Sequence, residues 1–405
     1  MKEELPIINI GLVGHVAHGK TILTKALTGK LTLQHSEELK RGITLKLGYA
    51  DAKFYKCKDC EFYFSDINNL KACPRCFSKN VEFLRAVSFI DAPGHETLMS
   101  LVLTASSLMN GGILVIASNE KCPQPQTEEH LKALEIAGIK NIIIAQTKID
   151  LVRDKQKLLE HYSQIKNFLK NTPYENSPII PISAQFNVNI EYLIEAIEKF
   201  IPTPQRNEKE KPIMYAIRSF DINLPGTKIK ELKGAVFGGS VIKGKFKEND
   251  EIEIKPAAYH NGKFIDLTAK IIEIRKSGIK VEEATPGGLI GIQTNLDASI
   301  AKNDSLTGKI IGLVNELPKE VNSISFEIRY LQRYALDEKE IKLKENDMIL
   351  INIGPQRTVG IVKSIRENYL DVLLRFPVVV QKNDRILISK QIKGSWRLIG
   401  YSNYN

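Results

Sequence analysis

The sequence predicts an α/β domain with a parallel-type sheet and helices on both faces. It carries a cysteine knuckle as an insertion and is followed by two β-barrel domains. Three observations predict this. The first half alternates short apolar runs with amphipathic stretches, as parallel strands covered on both faces require. The second half has short runs separated by turn residues, the pattern of small barrels. Four cysteines fall into two C-x-x-C pairs with 12 residues between them, a spacing that reads as a metal site. The expected boundaries are 1–205 for the α/β domain, with the knuckle at about 55–80, then 206–315 and 316–405 for the barrels.

The elements follow in order. Ile7 to Val13 is an apolar strand, and residues 20–29 read as a helix. Val87–Ile90 and Gly112–Ala117 are further buried strands. Thr127 to Ala137 has helical spacing, and Asn141–Ala145 is a strand. A helix over Leu158–Leu169, a strand over Pro178–Ile182 and a helix over Ile190–Phe200 complete the half. Ile201 to Pro212 is polar and proline-bearing and reads as a linker. Beyond it, Gly238-Gly239, Lys243-Gly244, Asn249-Asp250, Asn261-Gly262 and Pro286-Gly287-Gly288 read as turns. Leu313 to Asn322, with Pro318, reads as a second boundary.

Composition bounds the function. The 405 residues are 43% hydrophobic and 26% charged, which excludes a mostly disordered chain. No run approaches the ~18 apolar residues of a membrane span, and the start lacks a signal-type apolar region. The chain therefore reads as cytoplasmic. Residues 1–205 hold 24 Lys and Arg against 22 Asp and Glu, whereas residues 206–405 hold 33 against 25. The basic excess of the second half fits either an RNA partner or a lysine-rich solvated surface.

Gly14-His15-Val16-Ala17-His18-Gly19-Lys20-Thr21 matches G-x-x-x-x-G-K-[ST] between an expected strand and an expected helix. Its backbone N–H groups and the helix start attract phosphate oxygens. Lys20 reaches the β- and γ-phosphates, and the Thr21 hydroxyl ligates Mg²⁺. His15 and His18 read as structural. Thr44, within Arg41-Gly42-Ile43-Thr44, offers a second Mg²⁺-linked hydroxyl. In Asp91-Ala92-Pro93-Gly94-His95, Asp91 holds a magnesium-bound water and Gly94 N–H meets the γ-phosphate. His95 is the candidate that orients the attacking water. Val16 and Ile43 either shield His95 or simply pack locally. In Thr147-Lys148-Ile149-Asp150, the Asp150 carboxylate accepts guanine N1–H and N2–H₂, donors that adenine lacks, and the Lys148 stem lies on the base. Ser183-Ala184 presents a backbone N–H to guanine O6. Together, in this order at strand ends, these signals define a P-loop GTPase. Cys57, Cys60, Cys73 and Cys76 are expected to hold one structural Zn²⁺ tetrahedrally.

These motifs resemble the translational GTPases related to elongation factor Tu. The more specific resemblance is to the gamma subunit family of archaeal and eukaryotic translation initiation factor 2, in its archaeal form. It is carried by residues 35–50, HSEELKRGITLKLGYA, and by Phe89–Glu96, Pro123–Thr127, Ile217–Asp221, Ser389–Ile392 and Trp396–Gly400. It spans essentially the whole chain. The resemblance implies a GTP-dependent carrier of methionyl initiator tRNA to the small ribosomal subunit. It implies a heterotrimer with alpha and beta subunits, and tRNA release after hydrolysis to GDP. The rival readings are an elongation-factor-type aminoacyl-tRNA carrier and a GTP-binding assembly subunit with little hydrolysis. Two positions depart from the family: Ala17 stands where it has Asp, and Thr147 where it has Asn. The first implies slow hydrolysis. The second keeps a hydroxyl where Asn ties the guanine loop to the phosphate loop.

Overall fold

A computed structural model describes residues 4–32, 47–67, 72–95, 98–260, 262–331 and 341–404. The chain divides into two compact units, Met1–Gln205 and Arg206–Asn405.

In the first unit the strands are β1 (Pro6–Val13), β2 (Gly48–Cys57), β3 (Tyr63–Ser65), β4 (Val81–Asp91), β5 (Gly111–Ala117), β6 (Ile142–Thr147) and β7 (Ile179–Pro181). The helices are α1 (Lys20–Thr28), α2 (Met99–Ser106), α3 (Pro125–Ala137), α4 (Lys155–Leu169) and α5 (Ile190–Phe200). The sheet order is β3-β2-β4-β1-β5-β6-β7. From β4 to β7 every pairing is parallel, and β5 is buried along its full length. The edge differs from the parallel expectation: β2 runs antiparallel to both β4 and β3. Its residues alternate buried and half-buried, so the strand is apolar on one face only.

Helix ends match local chemistry. Gly29 and Gly138 end α1 and α3 in the left-handed region, at φ 73° and 79°, where glycine carries no Cβ penalty. Asp154 caps α4, accepting from Gln156 N at 2.8 Å. Arg85 on β4 anchors the end of α5. It donates to Ile197 O (2.9 Å), Glu198 Oε1 (2.8 Å) and Thr203 Oγ1 (3.0 Å). A guanidinium at a helix C-terminus faces the negative end of the macrodipole. Ile201 packs fully buried in the same core, so the first residues of the expected linker belong to this unit.

The second unit holds two further sheets. The first contains β8 (Ile213–Phe220), β9 (Val236–Lys243), β11 (Glu251–His260), β12 (Lys263–Lys276), β13 (Ile279–Val281), β15 (Ile290–Thr294) and β16 (Lys309–Leu313), with β10 (Phe246–Lys247) and β14 (Glu283–Ala284) paired beside it. Its order is β11-β16-β8-β9-β15-β12-β13, and β11 also pairs with β12. That pairing closes the ring into a barrel and leaves those strands no free edge. Gly238 and Gly239, read as a turn from sequence, lie inside β9. A Cβ on Gly239 would strike the Tyr215 carbonyl of β8, so the pair marks a close backbone approach beside a register shift.

The second sheet runs β17 (Glu320–Glu327), β21 (Tyr369–Val379), β20 (Gln356–Arg366), β19 (Met348–Ile353), β22 (Arg385–Ile392), β23 (Ser395–Asn403) and β18 (Arg329–Tyr330). Only Ile328 separates β17 from β18 in the chain, so the two ends of this sheet are adjacent and it curls into a barrel. Aliphatic side chains fill both barrels. The fold is therefore an α/β domain followed by β-barrels.

Candidate nucleotide and metal sites

The phosphate loop turns off the end of β1 into α1. Gly14 has φ 138°, and a Cβ there would overlap the Val115 carbonyl, so only glycine fits. Its N–H donates to Nδ1 of His130, on α3, at 2.6 Å. His130 is buried, and burial pushes its pKa down to about 3. The ring is thus neutral and able to accept. Sequence reasoning missed this residue, because its partner lies 116 positions away and nothing in its local pattern marks it.

His18 is also buried, with its pKa pushed down to about 4, chiefly by burial. Nδ1 lies 3.1 Å from the Val115 carbonyl, an acceptor. Nε2 lies 3.3 Å from Glu120 Oε2. The His15 ring sits 5.1 Å from that of His18, and burial lowers its pKa too. Both histidines thus underpin the loop. Ala17 occupies the left-handed region at φ 61°, a conformation that Asn and Asp tolerate better than alanine.

Lys20 opens α1 after Gly19, which has φ 95°. Its Nζ donates to Gly14 O (2.9 Å) and His15 O (2.7 Å). Burial lowers its pKa to about 8, and the nearby Asp91 opposes this shift. Thr21 Oγ1 donates to Asp91 Oδ2 at 2.7 Å, and Thr32 Oγ1 donates to the same oxygen at 2.6 Å. Gly94 lies against the loop: a Cβ there would be 2.5 Å from Lys20 Nζ, 2.8 Å from Val16 N and 2.9 Å from Gly14 O. His95 follows, exposed. The structure therefore brings Gly14, Val16, Lys20, Thr21, Asp91 and Gly94 together. Ile43 and Thr44 lie outside the described residues.

The candidate guanine end is built from the ends of β6 and β7. Thr147 Oγ1 donates to His18 O at 2.7 Å, so the threonine makes a loop-to-loop tie. Lys148 turns the chain at φ 57°. Asp150 is exposed, and its Oδ1 accepts from the buried Ser183 Oγ at 2.5 Å. That bond fixes the carboxylate beside the Ser183-Ala184 turn, and Ala184 itself packs against the core.

The four knuckle sulfurs lie within 4.8 Å of one another. Cys57 and Cys76 are 3.5 Å apart, and Cys60 and Cys73 are 3.6 Å apart. A tetrahedron of Zn–S bonds of about 2.3 Å has sulfur–sulfur edges of about 3.8 Å, so the cluster is compatible with zinc. Arg75 N approaches Cys73 Sγ at 3.4 Å.

An α/β sheet with this loop, a carboxylate at the candidate guanine position and β-barrels later in the chain defines a GTP-hydrolysing enzyme of the translational type. Residues 5–203 match the family described as Elongation factor Tu GTP binding domain, and residues 322–404 match Initiation factor eIF2 gamma, C terminal. Similar solved structures include bacterial selenocysteine-specific elongation factor EF-Sec, with TM-score 0.74 and 25% identity, over 98% of this chain and 58% of that one. Elongation factor SelB from Methanococcus maripaludis, solved with a GTP analogue, has TM-score 0.73 at 22% identity, over 99% of this chain and 79% of that one, and shows the fold alone.

Relatives over nearly the whole length narrow this. The chain is 50% identical over 401 residues to "Translation initiation factor 2 subunit gamma" of Pyrococcus abyssi, covering 97% of this chain and 96% of that protein. It is 50% identical to the protein of that name from Methanocaldococcus jannaschii, again over 97% and 96%. The Archaeoglobus fulgidus protein is 49% identical over 98% of this chain and 94% of its own. The chain belongs to the translation initiation factor 2 gamma subunit family and is a translation initiation GTPase. No helix among the described residues is long and apolar enough to cross a membrane.

Proposed function

We propose that this chain, in the cytoplasm and with GTP bound, carries methionyl initiator tRNA to the small ribosomal subunit as the core of a heterotrimer with alpha and beta subunits. Hydrolysis then releases the tRNA. The observation that carries the reading is the near-full-length identity to gamma subunits. The basic excess of residues 206–405 supports an RNA partner. The test is retention of methionyl initiator tRNA by the purified chain with its alpha and beta subunits, in GTP and in GDP. Preference for elongator tRNA would favour the elongation-type carrier instead, and equal retention in both nucleotides would rule out a GTP-switched carrier of either kind.

The residue roles follow from position and chemistry. A hard divalent cation takes oxygen ligands, and the corner where Thr21 meets Asp91 offers a hydroxyl and a carboxylate. Mg²⁺ there supplies charge neutralisation to the phosphates. Thr21 would ligate it, Asp91 would hold it through water, and Thr44 would add a second hydroxyl. Lys20 exchanges its carbonyl partners for phosphate oxygens, and the backbone of Gly14 to Gly19 with Gly94 N–H encloses them. Asp150, oriented by Ser183, selects guanine, with the Lys148 stem on the base, a backbone N–H of Ser183-Ala184 facing guanine O6 and Thr147 holding the loop. His95 orients water. Zn²⁺ on Cys57, Cys60, Cys73 and Cys76 closes the knuckle, with no open position for catalysis.

A second reading, an assembly subunit with little hydrolysis, is favoured by Ala17, which puts no polar atom beside the phosphates. Single-turnover hydrolysis on initiation complexes separates the two. His95→Ala should bind GTP and tRNA as the parent does and hydrolyse more slowly, whereas Ala17→Asp should hydrolyse faster. A His95→Ala rate equal to the parent's assigns the water to another residue.

A further inference from the structure

The hairpin formed by β11 and β12 carries Tyr259 opposite Phe264. With Phe376 of β21 they form an aromatic cluster, with ring centroids 5.2, 6.0 and 6.2 Å apart and planes tilted by 60–74°. No two rings stack face to face. All three are exposed, by 58%, 50% and 38% respectively, although exposing three large rings forfeits burial energy. The rings are not the whole of the contact between the barrels. A separate buried cluster of Ile213, Ile310, Leu317 and Val379 with Tyr215 also joins them.

The platform under Phe376 is fixed by side chains that replace ladder bonds. Thr358 Oγ1 donates to Phe376 O (3.0 Å) and accepts from Phe376 N (3.1 Å). The Gln356 amide bonds Val379 N and O, each at 2.7 Å. Beside the rings opens a cleft of about 240 Å³ whose charged lining residues, among those described, are Lys309 and Arg357. Lys309 Nζ is held by Pro256 O (2.6 Å) and Ala257 O (3.0 Å). Glu320 lies behind this wall, accepting from Ala257 N. The Arg375 guanidinium sits 5.6 Å from the Phe376 ring, and Lys263 is exposed at the start of β12.

Rigid exposed rings flanked by cations are what unpaired nucleotides need, since bases stack on the rings while phosphates meet the cations. We propose that the cleft between the two barrels, with Tyr259, Phe264 and Phe376 as its stacking platform and Arg357 and Lys309 as its cationic wall, binds single-stranded RNA. A duplex buries its base faces and cannot use such a platform. This goes beyond the initiator tRNA reading and stands if that reading fails, because any unpaired RNA segment presents the same chemistry.

The test is fluorescence anisotropy of a labelled oligo(U) of about twelve nucleotides with the full chain in GDP, beside the same strand in a duplex. Tyr259→Ala combined with Phe264→Ala should weaken single-strand binding by about tenfold or more, whereas Phe264→Trp should keep it. Arg357→Gln should weaken binding about equally for all sequences and lower the salt slope by about 1. Crosslinks from 5-iodouridine RNA should map to Tyr259, Phe264 or Phe376. If the double alanine variant melts early, Phe264→Trp, Arg357→Gln and the crosslinks carry the test. Equal affinity for duplex and single strand, unchanged binding by the folded double variant, or crosslinks confined to other segments would overturn the proposal. So would footprints showing the rings covered by another subunit of the assembled factor, which would make the patch a protein interface.

Discussion

The two ends of the nucleotide site each carry a residue other than the one the family resemblance leads one to expect, and they do so differently. At the guanine end Thr147 replaces an amide with a hydroxyl, yet Oγ1 still reaches His18 O at 2.7 Å. At the phosphate end Ala17 leaves only a methyl group in a left-handed turn at φ 61°. One change keeps a hydrogen bond and the other leaves none. The ends also differ in what supports them: an exposed carboxylate oriented by Ser183 at one, and neutral buried imidazoles at the other.

The largest expected effect tests the guanine end. Asp150→Asn turns an acceptor into a donor facing guanine, at a cost of about 2–4 kcal/mol in GTP affinity. Calorimetric titration should show the variant gaining relative affinity for xanthosine triphosphate, and an unchanged ratio would remove Asp150 from the selective role.

Next comes the phosphate end under acid. His18 and His130 have folded pKa values depressed to about 4 and about 3, below the ordinary value near 6.5. Above pH ~6.5 both states are neutral and no stability depends on pH through these rings. As pH falls below that value the unfolded chain takes up protons and the folded chain does not. Stability should therefore drop by about 1.4 kcal/mol per pH unit for each ring. Urea melts between pH 7 and pH ~5 should show a shallower slope for His130→Gln than for the parent. Identical slopes would mean that His130 titrates normally.

Thr147→Val keeps the shape and deletes the tie. Leaving His18 O without this donor should cost about 1–2 kcal/mol, read as weaker GDP binding or a lower urea midpoint. A neutral result would make the two ends equivalent after all. The smallest effect is Ala17→Gly, which relieves the left-handed turn and should stabilise the chain by about 1 kcal/mol, seen as a slightly higher Tm. A lower Tm would show that the methyl group packs usefully.

Much of this was legible from sequence, because its signals are local. The phosphate loop, the Asp91-Ala92-Pro93-Gly94 turn and the Asp150 loop each sit at the end of an apolar run, where the chain must turn. What was missed lacked such a signature. β2 alternates along Gly48–Cys57 and buries one face, so it has no continuous apolar run. α2 is a short, mostly buried segment, MSLVLTAS, whose apolar residues show no single face. Gly238 and Gly239 look like a turn because a close backbone approach and a turn ask for the same residue. His130 and Arg85 act across 116 and 118 positions respectively, and separations of that size leave no trace in local spacing.

The knuckle also stores something in its backbone. After the second cysteine of each pair the chain turns left-handed, at Glu61 (φ 56°) and at Phe77 (φ 59°), and neither residue is glycine. Such turns disfavour side-chain-bearing residues by about 1–2 kcal/mol each. If zinc holds the knuckle closed, this strain is subtracted from the metal's binding free energy, and the site should release zinc faster than a glycine-bearing one. Phe77, 81% exposed, is then a set point for metal exchange: Phe77→Gly should slow the loss of zinc to a chelator, leaving a tighter but less responsive clasp.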